Sequence, residues 1–337
     1  MPNVKLQKPE QSVIDLIKRS GDLDTSIAFP AQQELAKALE LPLRQGTLVG
    51  DVVSGIFQAM PLEPGSVPEF PLDLLAPGEE DEFIAFTNPG HGYIPERQVE
   101  GDYVMIPTYS IAAAIDWLLK YAREARWDIV ARAMQVLQAS FTKKINDDGW
   151  HTVLSAGADR NILVYDTGAS AGQFTKRLLS LAKIVMRRNA GGNTGSIKRG
   201  KLTDVFFSPE ALEDIRNWGL DQLDDVTRRE VYLASDGADV LTKVFGVYLH
   251  DMDEFGEGQE YQTYFTSTLG GSVASGDAEI AVGLDLLNND SFIMPVKQEV
   301  TIFSDPMLHR QQRAGAYGWT DCGFGCLDNR RTILLSY

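Results

Sequence analysis

Residues 61–107 constrain the fold of this 337-residue chain more than any other stretch. They hold eight of its 15 prolines, and ten Asp or Glu against one base, Arg97. Proline has no amide to donate and fixes its own φ, so neither a helix interior nor a central strand can run through such a segment. Two stretches inside it, 82–87 and 102–106, are still rich in β-formers (Phe83, Ile84 and Phe86; Tyr103, Val104 and Ile106), which predicts a long two-stranded flap. Composition alone favours a solvated loop. An excursion of 47 residues between a strand and a long helix is nonetheless rare in a compact monomer, and such excursions serve a function or find a partner surface. The partner expected here is another subunit.

Contrasting sequence brackets the flap. Residues 109–146 run for 38 positions without Gly or Pro, with Ile111, Ile115, Leu118, Leu137, Phe141 and Ile145 at helical spacing. The pattern predicts one helix, about 57 Å long at about 1.5 Å per residue, ended by Asp147-Asp148-Gly149. A helix longer than a domain is wide must project or form a spine. Before the flap, residues 12–20 and 30–40 show short amphipathic patterns, neither able to bury its apolar face alone, and the β-branched run 47–60 predicts strands. After the helix come a strand at 161–165, a helix from a Ser170/Gln173 capping pattern to about Asn189, and a Gly-rich basic turn. A strand at 202–207 follows, with a helix opened by Ser208-Pro209-Glu210. From 240 onward short strands and turns dominate, at 242–250, 279–285, 298–303 and 332–337. The class is α+β, with no internal repeat.

Charge and cysteine usage exclude several functions. A net charge of −16 opposes general nucleic-acid or anionic-lipid binding, and no stretch approaches the roughly 20 apolar residues of a membrane span. The N-terminal ten residues lack the apolar core of a secretory signal, so a cytosolic compartment is expected, with Cys322 and Cys326 both reduced.

Few motifs point to chemistry. Gly168-Ala-Ser170-Ala-Gly172 fits the G-x-S-x-G nucleophile elbow and falls between a predicted strand and helix, with Asp285 and His309 as candidate triad partners. A capped helix start explains the same residues, and the flap and long helix occupy the place where a hydrolase would have its early βα units. Asp166-Thr167-Gly168 matches the aspartic-protease triplet, but a second copy is absent and a helix follows at once. Residues 195–202 resemble a phosphate loop, except that Leu202 replaces the Mg²⁺-binding hydroxyl and a strand follows where a helix belongs. The two cysteines lack further ligands at zinc spacing, and His91, His151, His250 and His309 are scattered. No catalytic, cofactor-binding or metal-ligating residue is therefore assigned, and no cofactor is expected. The Ser170 hydrolase remains the alternative function.

The order of elements is more telling than any motif: an N-terminal arm, a strand, an acidic β flap, a spine helix, an α/β region and terminal strands. It resembles the major capsid protein of tailed bacteriophages, the Hong Kong 97-type capsid fold. The resemblance rests on the flap and spine (61–146), LTDVFFSPEALEDIRNW (202–218) and VTIFSDPMLHRQQRAGAYGW (300–319) with its following strands. It implies an N-terminal arm at 1–60, an E-loop at 61–107 and a peripheral domain with the spine helix at 108–155. An axial domain at 156–299 and return strands at 300–337 complete it. It further implies a non-enzymatic structural protein of the virion, made in the host bacterial cytoplasm. Hexamers and pentamers would build an icosahedral shell around double-stranded DNA without sequence-specific binding and without a membrane. Portal and scaffolding proteins are the implied partners, with cement or decoration proteins as further candidates. Arms and flaps without a core of their own gain burial only on neighbours, which suits such a shell. An acidic lumen lets DNA slide without sticking. Residues 66–106 contain no Lys, so the lysine–asparagine weld of some family members is not expected from this flap. The start at Met1 without a long charged helical leader leads to the expectation that a fused scaffolding segment is either absent or belongs to a separate protein.

Overall fold

The computed structural model describes residues 11–49, 53–63, 65–72, 102–124, 126–189, 200–218, 243–287 and 291–337. The chain divides into two compact units, each drawn from three stretches: Met1–Glu69, Met105–Gly149 and Ile293–Gly325 in the first, Phe70–Val104, Trp150–Phe292 and Cys326–Tyr337 in the second.

In the first unit, α1 (Gln11–Ser20) and α2 (Thr25–Val49) pack on each other and bury Ile17, Ala28, Ala31 and Leu35. Asp24 starts α2, its Oδ1 accepting from the Ser26 amide at 2.9 Å, and Gln32 ties the pair by donating to the Ser20 carbonyl at 3.0 Å. The strands expected over 47–60 are mostly absent. α2 continues to Val49, a single turn α3 (Val53–Ile56) follows, and only β1 (Gln58–Pro61) is extended. β2 (Glu69–Leu72) and β3 (Asp102–Met105), which apart from Glu69 and Met105 belong to the second unit, pair as a two-stranded sheet at the base of the predicted flap. The other predicted flap strand, 82–87, lies outside the described residues.

The single helix expected over 109–146 is the principal correction. Its first ten residues form β4 (Tyr109–Leu118), the short α4 (Leu119–Arg123) follows, and the long helix is α5 (Trp127–Asp159), 33 residues that run through Gly149. Ile111 and Trp117 are buried and Ile115 half-buried, while Ser110, Ala112, Ala114 and Asp116 are exposed, so the stretch has the two-residue period of a strand. Ile111, Ile115 and Leu118 satisfy helical spacing equally well, and the long-range pairing decides: β4 lies antiparallel to β11 (Arg313–Cys322) from Tyr109↔Cys322 to Leu118↔Arg313. β11 continues to β10 (Phe292–Ser304), which pairs in parallel with β1 and also takes the two-residue β12 (Gly325–Cys326). α5 buries Val130, Met134, Leu137, Phe141 and Ile145 at three- and four-residue intervals. The end of the Phe141 ring lies 3.6 Å from where a Cβ on Gly318 would stand, so this face of α5 meets the sheet. Asp148, read from sequence as part of a helix stop, instead accepts from Tyr109 Oη and Lys144 Nζ, each at 2.8 Å.

The second unit holds a six-stranded mixed sheet. Its order is β5 (Leu163–Tyr165), β13 (Thr332–Ser336), β9 (Ile280–Leu284), β6 (Asp204–Phe207), β8 (Val247–Asp251) and β7 (Lys243–Val244). β9 and β13 are buried at every position, as central strands covered on both faces must be. Helices α6 (Lys176–Asn189) and α7 (Pro209–Arg216) share its main core through Leu178, Ala182, Met186, Ala211 and Ile215. Trp150 of α5 is fully buried against Phe206, Phe255 and Tyr261, ring centroids 4.8 to 5.9 Å apart. Arg160 fixes the end of α5 to this unit by donating to the carbonyls of Arg330 and Thr332 at 2.9 and 3.0 Å.

Candidate functional site

The loop between β5 and α6 carries the two motifs with the strongest chemical suggestion, and its geometry assigns them a structural task. Asp166 is buried and accepts from the Gly168 amide at 3.1 Å and the Thr175 hydroxyl at 2.8 Å, with Arg177 at 3.5 Å. The Gly168 amide above all, helped by Thr175 and Arg177, holds its carboxyl below the usual carboxylate range. No second carboxylate shares a proton with it among these partners, which is what an aspartic-protease centre would require. Asp166 is a staple that folds the loop.

Ser170 is exposed on that loop, and α6 begins only at Lys176. The residue that caps α6 is Thr175, whose Oγ1 accepts from the Leu178 amide at 3.1 Å. The capping pattern read at Ser170/Gln173 is thus displaced by five residues. A nucleophile elbow needs its serine at the strand-to-helix turn itself, beside a histidine. Among the described residues no hydrogen bond joins Ser170 to a histidine or carboxylate. Its nominal partners are engaged elsewhere. Asp285 accepts from the Gly200 amide at 2.9 Å and the Leu287 amide at 3.2 Å. His309, in the first unit, lies 3.1 Å from the Asp22 carbonyl with its ring edge-on to Phe29.

Asp285 also accounts for what the structure describes of the phosphate-loop lookalike. Its carboxylate occupies the Gly200 amide that a phosphate would need, and a strand follows. Residues 190–199, like His91, lie outside the described residues. His250 bonds Asp204 at 2.8 Å and stacks on Phe206 at 4.5 Å, and His151 stacks on Tyr264 at 3.7 Å. Both are packed rings. Cys322 is buried and Cys326 half-buried, both are free thiols, and burial pushes each up to about 12. Among the described residues no group of three His, Cys, Asp or Glu is placed to hold a metal ion, and no helix is long and apolar enough to cross a membrane.

A serine–carboxylate pair does occur, at a place the motifs did not indicate. Ser208 Oγ donates to Glu279 Oε2 at 2.5 Å and lies 3.0 Å from the Tyr337 hydroxyl. All three side chains are buried and Ser208 caps α7 through the Ala211 amide, so the cluster locks β6, α7 and the last strand together rather than meeting a substrate. Its only sequence signal was the Ser-Pro-Glu helix start.

No family model matches the chain, and no curated protein matches it. Solved structures do. The cyanophage Pam1 capsid asymmetric unit matches with 14% identity over 84% of this chain and 88% of that one, TM-score 0.55. The capsid of Myoviridae phage XM1 matches with 10% identity over 85% and 90%, TM-score 0.53. The capsid of an empty GTA particle matches with 12% identity over 85% and 89%, TM-score 0.53. The chain has the fold found in these phage capsids.

Proposed function

We propose that the chain is the major capsid subunit of a tailed-phage head, a structural protein that works by assembling with copies of itself. The observation that carries this reading is the match of fold over more than four-fifths of both chains to the capsid of phage XM1 and to the cyanophage Pam1 capsid. In this reading residues 1–60 are an N-terminal arm, 61–107 an E-loop, 108–155 a peripheral domain, 156–299 an axial domain and 300–337 return strands. The long helix α5 and the β2–β3 pair at the base of the flap suit those roles. Hexamers and pentamers would close an icosahedral shell around DNA, held without covalent welds because the flap has no lysine between 66 and 106. Portal, scaffolding and decoration proteins would complete the head.

Sedimentation of the purified full-length chain at physiological salt tests the proposal. Hexamers, pentamers or shells are expected. A species that stays monomeric or dimeric even when a scaffold-containing lysate is added would refute it.

A further inference from the structure

The chain is acidic overall, yet residues 167–203 hold eight Lys or Arg and neither Asp nor Glu. α6 is the centre of this segment and carries Lys176, Arg177, Lys183, Arg187 and Arg188. Leu178, Leu179, Ala182 and Met186 seal its apolar side into the core of the second unit. Helical geometry then turns Arg177, Ser180, Ile184, Arg187 and Arg188 to one outer face, and all five are exposed. Helix-dipole complementarity accounts for two arginines in the last turn, but bases in the first turn, Lys176 and Arg177, oppose it.

The adjoining β7–β8 hairpin extends the cationic face and adds rings to it. Lys183 Nζ donates to the Phe245 carbonyl at 2.8 Å, Lys176 Nζ lies 5.1 Å over the Phe245 ring, and Lys243 Nζ lies 4.6 Å over the half-exposed Tyr248. Among the described residues the carboxylates beside α6 are committed: Asp166 to Gly168, Thr175 and Arg177, and Asp214 to the Phe174 amide at 2.8 Å. Arg187 and Arg188 make no ion pair among the described residues.

We propose that this face binds the phosphate backbone of DNA without reading sequence. From Arg177 to Arg188 the stripe runs about 16 Å at about 1.5 Å per residue, enough to meet several phosphates of a strand spaced about 3.4 Å along the axis. Guanidinium groups suit phosphate, whose oxygens they can meet in pairs. Confined to one helix and a hairpin, such binding leaves the rest of an acidic surface repulsive to DNA. The proposal rests on the capsid reading, which supplies the DNA.

The test is fluorescence anisotropy of a labelled random-sequence duplex with the unassembled full-length protein, across a salt series. Wild type should bind with an affinity that falls as salt rises. Arg187→Gln with Arg188→Gln should weaken binding at least tenfold at low salt. It should also reduce the salt slope by about 1.8, since each phosphate that a base neutralises adds about 0.9 to that slope. Arg187→Lys with Arg188→Lys, which keeps the charge, should retain binding. The proposal is overturned if wild type does not bind, if the Gln variant binds like wild type, or if the Lys variant fails to bind too. It is equally overturned if a peptide of residues 61–107 binds this face in an Arg187- and Arg188-dependent way while DNA does not, since an acidic flap would then be the occupant. Electron microscopy of the same preparations separates the two readings. Shells from a Gln variant with unchanged DNA affinity refute the proposal alone, whereas wild-type protein that builds no particle with scaffold present refutes the capsid reading.

Discussion

Gly149 sits inside α5, where glycine costs about 1 kcal/mol relative to alanine, so in an isolated helix Gly149→Ala would stabilise by about that amount. In this protein a Cβ at Gly149 would stand 2.6 Å from Cγ1 and 2.8 Å from Cγ2 of Val53. Val53 is fully buried in α3, and a β-branched side chain has no flexible end to swing aside. Overpacking of this kind costs about 1–3 kcal/mol, so Gly149→Ala is expected to destabilise by about 1 kcal/mol net. Val53→Ala alone should cost about 2 kcal/mol, from two buried methyl groups at about 0.8 kcal/mol each plus a small cavity. On that background both obstructing methyls are gone and only the Cβ at position 53, 3.3 Å away, remains, so adding Gly149→Ala should stabilise by up to about 1 kcal/mol. The sign change corresponds to a coupling of about 2 kcal/mol in a double-mutant cycle. Urea denaturation followed by circular dichroism and by tryptophan fluorescence reads it, with Trp150 adjacent as reporter. If Gly149→Ala stabilises in both backgrounds and the coupling is near zero, α3 does not pack on α5 and the account of why the helix continues through Gly149 fails.

Three further outcomes follow from the second unit and the thiols. Thr175→Ala should destabilise by about 1 kcal/mol through loss of the α6 cap, while Ser170→Ala stays within about 0.5 kcal/mol; the reverse order in urea unfolding would restore Ser170 as the cap. Asp166 has its carboxyl held below the ordinary value of 3.8, so its contribution is fully present above that value and lost as pH falls through the lower folded one. The gap in urea midpoint between wild type and Asp166→Asn should therefore be constant near neutrality and close in acid, and a gap that persists in strong acid would contradict the assignment. With both thiols pushed up to about 12, Cys322 and Cys326 should react with a thiol reagent at about pH 8 only after denaturation. Rapid labelling of native protein would show that burial does not protect them.

Sequence reasoning succeeded where local chemistry determines structure by itself. Ser208-Pro209-Glu210 opens α7 as read, because cap, N1 proline and first-turn acid act within one turn. The strands at 163–165, 204–207, 280–284 and 332–336 fall inside or close to the runs of β-branched and aromatic residues that suggested them. The failures share a cause in distant partners. Tyr109–Leu118 satisfies helical and strand periods alike, and only pairing with residues some 200 positions later selects the strand. Asp147-Asp148-Gly149 carries every local mark of a helix stop, yet Asp148 is taken by Tyr109 and Lys144 and Gly149 makes room for Val53. For the site, the motif at 168–172 was legible, but not that Asp285 and His309 are each engaged with backbone groups elsewhere, which long-range packing decides. The cationic face of α6 was only half visible, as a basic turn, because its single-sided exposure depends on which side the core of the second unit covers.

Cryo-electron microscopy of the full-length chain expressed in bacteria, with a scaffold-containing lysate added, tests the central claim most directly. The account predicts closed shells tens of nanometres across. Their repeating subunit should show α5 and the β4–β11 pairing, with residues 61–107 lying on a neighbouring copy. Discrete monomers or dimers under those conditions, or a shell built from subunits of another fold, would contradict it.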